Sequence, residues 1–454
     1  MRDTTFILSS DRLKELAQDV LRFAKALGAS EAAVQISEGG GLSASVRKGQ
    51  IETIEQNRDK GLGVTVYLGQ ERHTRRGSAS TSDFSQQSLK ATVEAAYNIA
   101  RFTAEDDCAG LPDVAALEMT PRDLRLCYPW AISTEEAVEI ARRAEAAAFA
   151  VDRRVTNSEG AGVHAQQSHF VSANSRGFMA GYPFSRHTLS VSPIAGRGAH
   201  MQRDSWYSSA RNAKHLAAPE ALGSYAAQRA LARLNARKLD TRKCPVLFEA
   251  PLATGLLGTF VQAVSGGALY RKSSFLMNSI GTQVFPAHVE VVENPHVIGG
   301  VASAPFDDEG VRTAHRDVVK DGVVQGYFLS TYTARKLGMA STGNAGGAHN
   351  LIMRSTQSRS SDGFEAMLKK LDTGLLVTEL MGQGVNYVTG DYSRGASGFW
   401  VEQGVIQYPV EEITIAGNMK QMLEQIVAIG TDTIMRGGKE TGSILIENMT
   451  VAGS

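Results

Sequence analysis

The sequence predicts an α+β chain: two helix–antiparallel-sheet–helix units, then a mainly β C-terminal domain around a buried central helix. Three observations carry this. Helix-period segments occur in pairs that bracket strand-like runs joined by short turns rich in Gly, Asp, Asn and Lys. From Leu239 onward helical segments are few and glycine is frequent. One stretch, Pro251 to Arg271, has no charge between Glu249 and Arg271 and directly follows a short apolar run, Cys244 to Phe248.

The first helix is expected from Asp11 to Leu27. Ser9 or Ser10 can cap it, Leu13, Leu16, Val20, Phe23, Ala24 and Leu27 share one face, and Gly28 ends it. Strands are expected over 33–37, 42–48, 50–58, 61–68 and 72–79, as a meander. A second helix covers 86–102. Asp106 to Pro129 holds three prolines and little periodicity, and a boundary is placed there. Ser133-Thr134-Glu135-Glu136 is a capping box and opens a third helix to about Ala150. Strands follow from Thr156 to about Arg211, and a helix from Pro219 to about Asn235 closes the second unit. The expected domains are therefore 1–120, 121–238 and 239–454.

In the last domain Asp321-Gly322 and Gln403-Gly404 read as tight hairpin turns. Pro251 suits a first helical turn. Leu252, Leu256, Leu257, Phe260, Val261 and Val264 recur at three- and four-residue spacing, so little of this helix is expected to face water. Its glycines, threonines and Gln262 argue for a buried globular helix over a bilayer span.

Composition narrows function. Lys+Arg and Asp+Glu balance at 47 each, which gives no electrostatic footprint for nucleic acid or an anionic membrane. Asp11, Arg12, Lys14 and Glu15 interrupt any signal peptide. Cys108, Cys127 and Cys244 are too few and too widely spaced for a disulfide framework or a zinc pattern and read as reduced thiols, so a cytoplasmic location is expected.

Chemistry is sparse. No pair among the ten histidines makes HExxH or HExxxH, and neither a nucleophile elbow nor a phosphate-binding loop is present. His164 and His169 fall on opposite faces of an expected strand. Asp307-Asp308-Glu309 is a hard-cation candidate, with a solvated turn paired to Arg312 and Arg316 as the favoured reading. Gly343-Asn344-Ala345-Gly346-Gly347 reads as a loop. The segment from Glu379 to Trp400 has five glycines that let backbone approach backbone or a ligand. There Asp391 and Arg394 can pair with each other, or Arg394 can hold a peptide carboxylate.

YRKSSFL at 270–276, PFDDEGVRT at 305–313, ELMGQGVNYVTGDYSRGASGFWVEQG at 379–404 and GLGVTVYLG at 61–69 resemble the TldD/PmbA family of zinc metalloproteases, long labelled modulators of DNA gyrase. The resemblance implies a cytoplasmic subunit that pairs with a TldD-like partner in a heterodimeric peptidase. That pair acts on unstructured peptides, in antitoxin degradation and peptide-antibiotic maturation. The family's zinc site is an HExxxH helix with a downstream cysteine. Anchored on Tyr270-Arg271-Lys272, that motif falls on Gly258, Thr259 and Ala263, and no cysteine follows Cys244. Ligands and general base are both missing. The chain is thus expected to be non-catalytic and to bind no cofactor itself, with zinc in the partner. Arg271, Asp391 and Arg394 are the candidate peptide or interface residues. Homodimerisation of the chain alone is left open. The rival readings are a metalloprotease with an unrecognised metal set, such as His164, His187, Asp307 and Asp308, and a non-proteolytic adaptor acting on gyrase.

Overall fold

The computed structural model describes residues 6–69 and 73–453, in two compact units. The first comprises 6–231, 298–300 and 304–313; the second comprises 232–297, 301–303 and 314–453. The expected start of the third strand at Arg72 lies outside the described residues.

In the first unit α1 (Ser10–Ala26) is capped by Ser9, whose Oγ accepts from Arg12 N at 3.1 Å. Leu13, Leu16, Ala17, Val20 and Ala24 form its buried stripe, and Gly28 takes φ +92° beyond its end. The strands β1 (Glu31–Arg47) and β2 (Gln50–Leu68) are each continuous across two expected segments. Lys48 (φ 51°) and Gly49 (φ 73°) make the tight turn between them. Next come β3 (Arg75–Thr81), α2 (Gln86–Phe102, capped by Ser85) and α3 (Thr134–Val151), with the capping box on Ser133 and Glu136. Then come β4 (Val155–Asn174), β5 (Met179–Ala180), β6 (Pro183–Ala195), β7 (Gln202–Arg203), β8 (Trp206–Ala210) and α4 (Pro219–Ala232).

The two helix–sheet–helix segments share one sheet, in the order β3-β2-β1-β4-β6-β7. The join is β1 with β4, antiparallel from Ala33↔Asn174 to Val46↔Ala161. Alternation along β1 sends Val34, Ile36, Leu42, Ala44 and Val46 inward. At one end of the sheet they pack under α1 and α2, at the other under α3 and α4.

The second unit begins with β9 (Arg242–Phe248), which feeds α5 (Ala250–Ala263) and α6 (Gly266–Tyr270). Then follow β10 (Val289–Glu293), β11 (Arg316–Lys320), β12 (Val323–Val324), α7 (Thr331–Lys336), β13 (Leu351–Ser355), α8 (Phe364–Leu371) and β14 (Gly374–Met381). The chain closes with β15 (Asp391–Glu402), β16 (Val405–Asn418), α9 (Met419–Glu424), β17 (Ile426–Ile429), β18 (Ile434–Arg436), β19 (Lys439–Thr441) and β20 (Ile444–Ala452). One sheet runs β12-β11-β10-β13-β19-β18 and the other β16-β15-β14-β9-β20-β17. In the second sheet β16 also pairs with β20, which bends it back on itself. Both expected hairpin turns form, with positive φ at Asp321, Gly322, Gln403 and Gly404.

The apolar core of this unit surrounds α5. Phe260 is fully buried and meets the Phe285 ring edge-on at 5.0 Å. Two features differ from expectation. The uncharged stretch is two helices, because the backbone at the break pairs sideways: Gly266 N–H donates to Phe328 O at 2.9 Å, and Phe328 N–H to Val264 O at 3.2 Å. Ser265 then caps α6. The outer face of α5 also reaches water, with Gly255 and Gln262 exposed and Gly258 and Thr259 half-buried. It tolerates water because its residues there are small or polar. Among the described residues no helix is long and apolar enough to cross a membrane.

Candidate functional site

The positions that sequence reasoning marked on α5 do not share one face. Gly258 and Thr259 look outward, whereas Ala263 is fully buried in the core. Five residues of helix turn a side chain well past its starting direction, and Gln262, four residues on, is the one aligned with Gly258. Thr259 spends its hydroxyl on its own helix, donating to Gly255 O at 3.0 Å. The neighbour of Gly258 is Lys439 on β19. Its Cε lies 3.5 Å, and its Nζ 4.0 Å, from the point where a side chain at 258 would begin.

These side chains do not fit a zinc ion. The outer face of α5 carries no imidazole, thiolate or carboxylate, and its nearest ionisable neighbour is a cation. Among the described residues one group of His, Cys, Asp or Glu side chains is close enough to share an ion: Asp106, Asp107 and Cys108 of the first unit. The rival set of His164, His187, Asp307 and Asp308 is not brought together. His164 is exposed, with Nδ1 2.9 Å from Ser43 Oγ, while His187 is buried with Nε2 2.9 Å from Tyr128 O. Burial pushes the His187 imidazolium pKa down. Asp307 is not a solvated turn residue: it is buried, and its carboxylate accepts from Glu309 N and Val311 N, both at 2.9 Å.

The glycine-rich segment also departs from expectation. Asp391 and Arg394 do not pair. Asp391 is exposed and accepts from Thr389 Oγ1 at 2.6 Å, and strand alternation sends Arg394 to the other face of β15. Arg394 shares its face with Tyr392. The Arg394 Nε and the Tyr392 hydroxyl are both buried without a well-formed hydrogen bond, although the Arg394 side chain lies close enough to the hydroxyl to oppose the rise of its pKa. Burial pushes the Tyr392 hydroxyl up to about 12. The close backbone approach is internal: a Cβ on Gly390 would sit 3.3 Å from Phe275 Cγ, and Phe275 N–H donates to Tyr387 O at 2.7 Å. Arg271 is exposed and stays local, its guanidinium 5.2 Å from the centre of the Tyr270 ring.

Sequence reasoning missed a buried polar network. Glu293, 1% exposed at the end of β10, accepts from Arg316 Nε at 2.7 Å, Asn344 Nδ2 at 2.8 Å and His349 N at 2.7 Å. Arg316 was expected beside Asp307–Glu309; Glu293 takes it instead. Burial would raise the Glu293 carboxyl, but the His349 hydrogen bond and the Arg316 charge outweigh it and hold the pKa below its ordinary 4.5. Arg316 also donates to Tyr327 O at 2.8 Å and lies over the Phe328 ring. Phe328 is the residue whose backbone pairs at the α5–α6 break, so this network positions the end of α5. The Asn344 loop was legible as a loop, but nothing local marked its partner 51 residues earlier.

Comparison with known proteins agrees along nearly the whole chain. Residues 32–100 match the model for PmbA/TldA metallopeptidase domain 1, 127–234 the central domain and 241–453 the C-terminal domain. Metalloprotease PmbA of Escherichia coli O157:H7 is 48% identical over 442 residues, covering 97% of this chain and 96% of that protein. Among solved structures, a protein of Bacteroides thetaiotaomicron named as a candidate modulator of DNA gyrase superposes with a TM-score of 0.91 at 25% identity, over 99% of this chain and all of that one. TldE from Thermococcus kodakarensis gives 0.82 at 19% identity, over 96% of this chain and all of that one, a likeness of fold alone.

Proposed function

Because the chain belongs to the PmbA/TldD metallopeptidase family, we propose that it is the non-catalytic, PmbA-type subunit of a peptidase whose zinc sits in a TldD-like partner. The observation that carries this reading is the outer face of α5. The scaffold is whole, with its strand, its helix and its capped break, yet it presents Gly258, Thr259 and Gln262 beside a lysine. Such a face cannot lower the pKa of a metal-bound water or supply a base to it. The activity named for the family is then a property of the pair.

Unstructured peptides are the substrate class on this reading. Their backbone groups are free to pair, so they can enter in extended form and add to a sheet edge. Arg394 is the residue on this chain with the strongest case for touching them, since it is half-buried beside Tyr392 with an Nε that makes no well-formed hydrogen bond and a guanidinium suits a carboxylate or carbonyl.

The test is a cleavage assay on casein with this chain alone, a TldD-like subunit alone and the two mixed, with zinc measured in each and the mixture run on size exclusion. Cleavage confined to samples with the partner, together with one co-eluting peak at micromolar protein, is expected. Chelator-sensitive cleavage by this chain alone, with stoichiometric zinc, would sink the reading. In the mixture Arg394→Ala is expected to raise KM about tenfold with kcat little changed, the mark of lost uniform binding. An unchanged KM removes Arg394 from the peptide path.

A further inference from the structure

The bare face of α5 meets a side chain from β19 at Gly258. Lys439 is half-buried, and its ammonium makes no hydrogen bond or ion pair with any described residue. It reaches α5 because β19 pairs with β13 at Leu351↔Lys439 and with β18 at Arg436↔Lys439, a register that points residue 439 toward the helix. The stem passes Gly258 with Cε at 3.5 Å and Cδ at 3.9 Å from the position of a Cβ there. Those distances are ordinary packing for a methyl group. The further atoms of an imidazole at 258 would extend into the space the stem fills.

We propose that Lys439 is the residue that keeps a divalent metal off this face. The proposal rests on the non-catalytic reading and adds its cause at residue level. Two effects act together. The methylene stem takes the volume that a ligand at position 258 needs. The ammonium sets a unit positive charge where an ion bound to such a ligand would lie, and like charges at that separation repel, the more so in a half-buried groove. Missing ligands alone would leave a neutral face that a few substitutions could refill. A face guarded by a cation resists refilling until the cation is changed as well. The small residue at 258 then fits Lys439: a methyl group there would only touch the lysine stem, whereas a longer side chain would contend with it for the same space.

The experiment uses the full chain with Gly258→His and Gln262→His together. These positions are four apart on the open face, so neither change enters the core as a change at Ala263 would. The pair is made with Lys439 kept, with Lys439→Cys and with Lys439→Met. Zinc affinity is read by competition with a chromophoric chelator, bound zinc by elemental analysis, and folding by circular dichroism. With Lys439 kept, zinc binding is expected to be at least about 100-fold weaker than with Lys439→Cys, and the methionine variant is expected to fall between them. Equal affinity with lysine and with methionine overturns the charge half of the proposal, and equal affinity across all three overturns it entirely. Should Gly258→His unfold the chain, the same change is made in Lys439→Ala. Recovery of the fold there upholds the steric half, and equal unfolding overturns it. Zinc in the unmodified chain bears on the non-catalytic reading itself, so the two failures are told apart by which protein holds the metal.

Discussion

Two sites of the second unit treat charge in opposite ways. At Glu293 every partner is supplied from within: a guanidinium, a side-chain amide and a backbone N–H converge on one buried carboxylate. At the outer face of α5 a lysine stands over a glycine and its ammonium has no described partner. The first arrangement is complete and holds the backbone in place. The second is incomplete, which is how a surface that meets something else is built. Strong electrostatics alone is therefore a poor guide to function in this protein. The more heavily bonded site is the structural one.

The contrast breaks first at Glu293, where the largest effect is expected. Glu293→Gln leaves Arg316 buried without its counter-charge, and removing one partner of a buried pair costs about 3–5 kcal/mol. The urea midpoint of the second unit should fall accordingly at pH 7, and hydrogen exchange should rise around Phe328. The pH dependence has a definite sign. The folded pKa lies below the ordinary 4.5. The stability it contributes is therefore present above about pH 4.5 and is lost as pH falls below that value through the depressed folded pKa. The variant should lack this part of the acid dependence. A loss under about 1 kcal/mol, with the acid limb unchanged, would mean that the network positions nothing.

The difference between the two sites also marks what could be read from the chain. Ser9, Ser85 and Ser133 announced their helices because capping is local, a matter of three residues. Asp321-Gly322 and Gln403-Gly404 announced their hairpins for the same reason. The bareness of Gly258 and Thr259 was also visible, since an absent ligand needs no partner to be noticed. Lys439 was not, because it meets α5 only through the β13–β19–β18 register, 181 positions downstream of Gly258. Glu293 was hidden in the same way: a strand-end glutamate looks solvated until Asn344 and His349 fold over it. The Asp391–Arg394 pairing failed for a simpler reason, since strand parity separates residues three apart. Helix parity likewise took Ala263 away from Gly258.

Two glycines sharpen the comparison with smaller effects. Gly266, at the break held by Phe328, has no room: an added Cβ would fall 2.3 Å from Thr333 Oγ1 and 2.5 Å from its Cβ. Gly266→Ala should therefore destabilise the second unit by about 1–3 kcal/mol, read in the same urea titration. Gly255 has nothing within 4 Å of its added Cβ and lies inside α5. As a helical glycine it lowers stability, so Gly255→Ala should stabilise by about 0.5–1 kcal/mol. If the outer face of α5 only covers the core, that gain comes free, and cleavage by the mixed subunits stays as it was. If peptide runs along this face, the same methyl narrows its path, and cleavage falls while stability rises. A variant that is both more stable and slower separates a working surface from a structural one, because loss of folding cannot produce that pair of results.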